Sequence, residues 1–237
     1  PSWEFRAYGE QQRSVETNTN VALTRVFDSS WRFRPNVRST ELDEFGTELW
    51  LRPWWGRDPE RPQGGVELYG QAARWRPDRG GAWNSYGRAR ATARLTVPIT
   101  PRWRVGTEIG AGTSFEIGAV EAQPGGSPAD VSPFPTQRQW FLGGPLSLRG
   151  YDASVLRGED HARARLEVAR GYRGGSLTLF GDAGWAGMRE EFDGSDVLYA
   201  VGVGVSLLDG LVRLDLSRGL TGDFARTRLD LYLDAIL

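Results

Sequence analysis

The 237-residue sequence has no cysteine, a single histidine and no long apolar run. Without cysteine it forms no disulfide, and it suits an oxidising compartment such as the periplasm or the outer membrane. A membrane-spanning helix needs roughly 18 or more consecutive apolar residues, so a helical membrane protein is excluded. The formal net charge of −1 gives no reason to expect a nucleic-acid partner.

Helical periodicity is also absent, whereas apolar and polar residues alternate with a period of two in many segments. The alternation is cleanest at the C-terminus, where Leu229, Leu231, Leu233, Ala235 and Leu237 share one face and Arg228, Asp230, Tyr232 and Asp234 share the other. A mean hydropathy of −0.45 is compatible with a transmembrane β-barrel, because only alternate residues of such a barrel face lipid.

Ten tryptophans provide a second signal, because several fall at the ends of predicted strands, where barrels carry interfacial aromatic girdles. These are Trp54, Trp55, Trp75, Trp83, Trp103 and Trp185. A tryptophan-rich soluble carbohydrate-binding protein is the alternative interpretation of this composition, and a soluble β-sandwich is the alternative fold.

Short turns alternate with longer polar connections, which is the layout of an outer-membrane barrel. We predict an all-β fold: one antiparallel transmembrane β-barrel of about twelve strands formed by residues 1–237. The predicted strands are 3–11, 18–27, 31–37, 45–55, 65–76, 85–98, 102–115, 161–171, 175–185, 197–207, 210–218 and 227–237. If 28–44 is entirely loop, the strand count becomes odd, and the chain is then a fragment of a larger barrel.

One long connection, 116–160, interrupts the regular pattern, and loops of this length are usually functional or disordered. Its first part is rich in glycine, proline and serine, and it ends with Leu148-Arg149-Gly150-Tyr151. About thirty residues later comes Phe180-Gly181-Asp182-Ala183-Gly184. An arginine fork and a strand carboxylate form a strong pair, so these two segments predict that the loop is held inside the barrel.

These two motifs, with the strand 164–170 between them, resemble the C-terminal barrel region, or surface-antigen domain, of the Omp85 superfamily. That superfamily includes the BamA and TamA assembly factors and the two-partner secretion transporters. Leu148, Arg149, Gly150 and Tyr151 are similar to its loop-6 motif, and Phe180, Asp182 and Gly184 to its strand motif. The likeness is specific over 140–237 and rests on pattern alone before that. Full-length relatives have sixteen strands and POTRA domains, so the resemblance implies that this chain could be a fragment of a sixteen-stranded barrel, and we expect no POTRA domain within residues 1–237.

The resemblance implies that the loop folds back into the lumen and that Arg149 pairs there with Asp182, with Glu167 nearby. Alternation independently places both carboxylates on the polar face, because Glu167 lies opposite Leu166 and Val168. Gly150 would allow a tight turn beside the wall, and Tyr151 would add a buried aromatic ring. The pair has two possible roles that the sequence leaves open: a working role in activity, or a structural brace.

For function, the resemblance implies an integral protein of the bacterial (Gram-negative) outer membrane that takes part in the insertion or translocation of other proteins. Its expected partners are outer-membrane lipid, client polypeptides and the machinery that assembles the barrel itself. The final strand, with Leu229, Leu231, Leu233 and Leu237, resembles the family's targeting signal but ends in leucine where relatives usually have an aromatic residue. Nothing like a leader precedes Pro1, so we expect a processed, excised or incomplete start. The alternative is a passive pore or a membrane anchor, such as the barrel of a patatin-like protein.

Catalytic chemistry finds little support in the sequence. His161 lies beside Asp160 and near Ser154, but no nucleophile motif such as Gly-x-Ser-x-Gly accompanies them. One histidine and no cysteine give no credible metal site. The acidic segment 190–196 lacks the spacing of a calcium loop. We therefore expect no enzymatic activity, no metal and no cofactor.

Overall fold

The computed structural model describes residues 1–13, 41–56, 58, 60–77, 82–117, 134–208 and 211–233. Predicted strands 18–27 and 31–37 lie outside the described residues, as do 234–237. The described part of the chain contains no helix long and apolar enough to cross a membrane. Its strands are β1 (Ser2–Gln12), β2 (Leu42–Arg52), β3 (Trp54–Trp55), β4 (Gln63–Pro77), β5 (Asn84–Thr100), β6 (Trp103–Glu116), β7 (Trp140–Leu142), β8 (Leu156–Gly158), β9 (Asp160–Tyr172), β10 (Gly175–Gly187), β11 (Leu198–Leu207), β12 (Val212–Gly219) and β13 (Thr227–Leu233).

These strands form one large antiparallel sheet in the order β1-β2-β4-β5-β6-β9-β10-β11-β12-β13, with β3 beside β4. Each strand thus lies next to its neighbour in sequence, apart from β7 and β8, which pair separately within the long loop. The all-β antiparallel prediction is confirmed. In the described residues, however, β1 pairs only with β2 and β13 only with β12, so this sheet is open. That arrangement agrees with the predicted barrel fragment rather than with a closed barrel of about twelve strands.

The two faces of the sheet differ as the alternation predicts. On the outer face, apolar side chains are exposed, as on the last strand, where Leu229, Leu231 and Leu233 are 67%, 70% and 73% accessible. Such a continuous apolar surface is unfavourable in water and suits contact with hydrocarbon. The opposite, inner face carries charged pairs and glycines, and the long loop packs on it. Its described residues 134–158 are called the inner loop below.

Most of the predicted girdle tryptophans are exposed, including Trp54, Trp55, Trp83 and Trp103. Trp75 is a correction: it is only 6% accessible and packs in a core cluster with Leu42, Ala73, Tyr86 and Phe134. Its register explains the difference. Trp75 pairs with Asn84 and Glu44 at inner-face positions, so its ring points under the inner loop rather than toward lipid.

The inner loop is anchored on two apolar clusters at opposite sides of the sheet. Its first part contributes Phe134 to the cluster with Tyr86 on β5. Its later part contributes Leu148, Tyr151 and Val155 to a cluster with Leu198 and Ala200 on β11. The loop therefore crosses the inner face between the N-terminal and the C-terminal strands.

Candidate functional site

Glycines shape the inner loop where it approaches the strands. Gly143, Gly144 and Gly150 all have positive φ, a conformation that strains other residues. At Gly150 space is limiting too, because a Cβ atom there would lie 2.6 Å from the backbone nitrogen of Gly219. The glycine of the loop motif thus lets the chain turn directly against the end of β12.

The turn at Gly150 directs Arg149 onto Asp182 of β10. The Nε and Nη2 atoms donate to the two carboxylate oxygens, each at 2.7 Å, and the backbone N–H of Arg149 donates to Oδ2 at 3.2 Å. Both side chains are 1% accessible. This is the bidentate geometry in which guanidinium and carboxylate pair most strongly.

Every inner-face residue of the strand motif contacts the loop. The Cζ atom of Arg149 lies 3.4 Å from the centroid of the Phe180 ring, so the guanidinium also stacks on an aromatic face. Gly184 leaves room for the loop side chains of Leu142 and Leu148, whose methyl groups would lie 3.2–3.4 Å from an added Cβ. Phe180, Asp182 and Gly184 therefore receive the loop through stacking, charge and space.

Further charged residues extend this pair into a group that we call the Arg149 cluster. Arg149 Nη1 donates to Glu167 on β9 at 2.6 Å and lies 3.4 Å from Asp215 on β12. Arg213 bridges the same two carboxylates at 2.9 Å each. Arg165 completes the group with a 3.3 Å contact to Asp182. The Arg149 cluster thus contains three arginines and three carboxylates: Arg149, Arg165, Arg213, Glu167, Asp182 and Asp215.

Equal numbers of opposite charges explain how this cluster can be buried. Burial alone would lower the pKa of Arg149, but its hydrogen bonds with Asp182 and the charge of Asp182 and Glu167 raise it, so the loop guanidinium stays charged. Removing one member would leave the remaining buried charges unbalanced and with fewer partners, and breaking a buried ion pair typically costs about 3–5 kcal/mol. The arrangement can hold a loop against a wall, but a permanently charged arginine does not exchange protons at neutral pH.

Tyr151 fixes the far side of the same turn. The residue is fully buried, its hydroxyl donates to the Tyr199 carbonyl at 2.7 Å, and it accepts from the Thr221 N–H at 3.3 Å. Tyr199 belongs to β11 and Thr221 to the connection after β12. All four residues of the loop motif are thereby placed: Leu148 and Tyr151 in the apolar cluster, Arg149 on the carboxylates and Gly150 against the backbone.

Arg165, Arg213 and Asp215 were not among the predicted site residues. Their signal in the sequence was only alternation, which puts Arg213 and Asp215 on the polar face of their strand without saying what they contact. A charged inner-face residue opposite the motif strands is the pattern that would have suggested them.

The residues considered for catalysis lie apart from this cluster. His161 is 6% accessible and packs against Trp140 with ring centroids 4.5 Å apart, while Asp160 binds Arg189 at 2.7 Å. No hydrogen bond joins Ser154 to His161 among the described residues, and Ser154 occupies a turn with φ of 57°. Asp193, in the acidic segment, accepts a local hydrogen bond from the Ser195 N–H at 3.2 Å. In the described ranges no three acidic or histidine side chains are arranged to hold a metal ion.

Within the C-terminal strand, Leu229, Leu231 and Leu233 project from the outer face of β13, and Arg228 and Asp230 pair on the inner face at 3.3 Å. Leu237 lies outside the described residues. The predicted alternation therefore holds for the described part of this strand.

Among known proteins, solved structures resemble this chain, whereas sequence comparisons find no match. No protein-family model matches the sequence, and no curated protein matches it. BamA from Haemophilus ducreyi lacking POTRA domains 1–3 superposes with a TM-score of 0.51 at 10% identity, covering 83% of this chain and 54% of BamA. CdiB from Acinetobacter baumannii gives a TM-score of 0.44 at 13% identity, covering 97% and 46%.

This chain therefore spans about half the length of the solved structures that it matches. An identity of 10% speaks for the fold alone, and the fold agrees with the one that the loop and strand motifs predict. The chain therefore shares its antiparallel sheet fold with part of the BamA β-barrel.

Proposed function

We propose that this chain is the membrane-embedded wall of an Omp85-type protein that helps to insert or translocate polypeptides at the bacterial outer membrane. The observation that carries the proposal is the Arg149 cluster, which holds the inner loop on the inner face through a bidentate pair with Asp182. A barrel that only anchors another domain does not need an elaborate, buried device of this kind for its loop. We assign the chain no catalytic step.

The two edges of the sheet could bind a client polypeptide. Along β1 and β13, one row of backbone N–H and C=O groups has no strand partner within the described residues. Unpaired edges template the addition of another strand, and a client strand could pair there by β-augmentation. The exposed Trp3 and Phe5 on β1 and the leucines of β13 would face lipid beside such a strand.

Outer-membrane lipid is the partner implied by the outer face, and the machinery that assembles barrels is the partner implied by the alternation of β13. Client polypeptides are proposed from the BamA-like fold together with the open edges. The fold itself hosts more than one activity, so the activity has to be measured.

The test is the folding rate of a small client barrel into liposomes of matched lipid, with and without this protein. Heat-shifted gel mobility would verify that this protein is itself inserted. We expect the wild-type protein to accelerate client folding and Arg149→Gln to lose most of this acceleration. Arg173→Gln, which removes an exposed arginine from the β9–β10 turn, should accelerate folding as the wild type does.

No acceleration from a correctly inserted barrel would contradict the proposal. A high, steady conductance in a planar bilayer would then identify a passive pore, while neither activity would leave a membrane anchor. If the wild type and Arg149→Gln accelerate folding equally, the protein is an insertase, but the Arg149 cluster is only a structural brace.

A further inference from the structure

The inner loop contacts both edge strands of the described sheet. At one side Gln137 Nε2 donates to Gln12 Oε1 of β1 at 2.5 Å, and Arg138 forms an ion pair with Glu10 of the same strand. At the other side Asp152 accepts from Arg228 Nη1 of β13 at 2.5 Å. A single continuous segment, 137–152, therefore reaches from the first described strand to the last.

The contact on the N-terminal side is part of a second buried network, which we call the Arg138 cluster. Arg138 binds Glu44 of β2 through Nε at 3.1 Å and Nη2 at 2.9 Å, and the Glu44 side chain is 0% accessible. Tyr8 donates to the same carboxylate at 2.5 Å, and Gln71 of β4 donates to the Tyr8 hydroxyl at 2.6 Å. The Arg138 cluster consists of Arg138, Glu10, Glu44, Tyr8 and Gln71, and it joins the loop to β1, β2 and β4.

The contact on the C-terminal side includes backbone as well as charge. The Gly150 carbonyl accepts from the Arg226 N–H at 3.3 Å, and the Arg226 carbonyl accepts from the Gly219 N–H at 3.0 Å. Arg228 holds Asp152 and also contacts Asp230 at 3.3 Å. The loop is thus fixed to the connection that enters β13 and to β13 itself.

No strand pairing joins β1 to β13 in the described residues, so ladder hydrogen bonds do not set the spacing between these edges. We propose that residues 137–152 of the inner loop act as a tether that sets the separation of β1 and β13, with Arg138 and Asp152 as its positioning residues. Because the tether crosses the inner face from one edge strand to the other, releasing either end lets the edges move apart.

This inference goes beyond the proposed function and does not depend on it, since edge separation is measured without a client. The chain contains no cysteine, so spin labels can be placed at will. Ala7→Cys on β1 and Leu229→Cys on β13 put labels at exposed outer-face positions that take no part in either cluster. Pulsed electron–electron double resonance on the inserted protein then measures the distance between the two spin labels, and so between the edges.

We expect a narrow distance distribution in the background protein. Arg138→Gln and Asp152→Asn should each broaden it and shift its mean outward by about 5 Å, roughly one strand spacing. Arg94→Gln is the matched control, because Arg94 pairs with Glu108 on the inner wall and does not contact the loop. A second label pair, Ala91→Cys with Leu179→Cys, should keep its distance in every variant, which shows that the sheet interior is intact.

An unchanged β1–β13 distribution in both variants would overturn the proposal and make the two contacts local braces. If Arg138→Gln loses heat-shifted mobility, the test uses Gln137→Ala in its place, together with Asp152→Asn, because Gln137→Ala removes the hydrogen bond to Gln12 without removing a charge. Widened edges in a protein that does not accelerate client folding would uphold the tether and reject the proposed function.

Discussion

The two halves of the inner loop hold the sheet with the same chemical device. In the later half Arg149 forks onto Asp182, and in the earlier half Arg138 forks onto Glu44, each through Nε and Nη2. An aromatic residue of the loop packs into an apolar cluster nearby in both cases, Tyr151 in one and Phe134 in the other. Pairing geometry alone therefore does not distinguish the two halves.

Burial and charge balance do distinguish them. The Arg149 side chain is 1% accessible and belongs to a cluster of three arginines and three carboxylates. Arg138 is 18% accessible and pairs with two carboxylates, Glu10 and Glu44. Solvent can partly compensate the charge of Arg138, but it does not reach Arg149 or Asp182. We infer that the later half fixes the loop and that the earlier half can be released at lower cost.

Removing the charge of Arg149 should have the largest effect. Arg149→Met leaves Asp182 and Asp215 buried with fewer partners, so the free energy of unfolding should fall by about 3–5 kcal/mol. Urea titration in lipid vesicles, followed by the fluorescence of the ten tryptophans, measures this change. Adding Asp182→Asn should cost less than the sum of the single changes, because the two residues share one interaction. Strict additivity would show that the pair does not stabilise the loop.

Replacing Gly150 should have the next largest effect on stability, and Gly174 provides a matched control within the same chain. Gly150→Ala forces a side chain into a positive-φ position, with φ of 80°, and against the Gly219 backbone. Gly174 has nearly the same φ, 81°, in a turn where an added Cβ meets nothing within 4 Å.

Gly174→Ala should therefore cost only the conformational strain, about 1 kcal/mol, while Gly150→Ala adds overpacking of about 1–3 kcal/mol. The same urea titration compares them. Equal losses in the two variants would mean that close approach to β12 is not what requires glycine in the loop motif.

The later half of the loop was predictable and the earlier half was not, for a physical reason. Period-2 alternation fixes the facing of Glu167 and Asp182, and the resemblance of the loop motif names their partner, so the contact follows from local patterns. Strand existence and facing are likewise local, which is why β4–β6 and β9–β12 lie close to their predicted bounds.

The earlier half depends on contacts that no local pattern encodes. Arg138 lies in a polar run and meets Glu44 and Glu10, which are separated from it by 94 and 128 positions. Trp75 was misassigned to the girdle for the same reason, since its burial depends on Phe134 arriving from the loop. An arginine without a motif can be placed only once the path of the chain is known.

The earlier half should respond less than the later half to loss of its arginine. Arg138→Gln leaves Glu44 buried but keeps the Tyr8 hydrogen bond, so we expect a loss of about 1–3 kcal/mol in the free energy of unfolding. The urea titration under identical conditions tests this. A loss as large as that of Arg149→Met would remove the distinction between the two halves and assign both a fixed, purely structural role.

An arginine of the sheet itself should respond least. Arg94 on β5 pairs with Glu108 on β6, but its side chain is 56% accessible, and Glu108 keeps a second partner in Arg163 at 2.6 Å. Exposed pairs of this kind contribute about 0–1 kcal/mol, so Arg94→Gln should barely change the urea midpoint, and added salt should reduce the difference further. If this variant were as unstable as Arg138→Gln, the loop contacts would be no stronger than ordinary pairs on the wall. Burial beneath the loop would then not explain why the two halves of the loop differ in their contribution to stability.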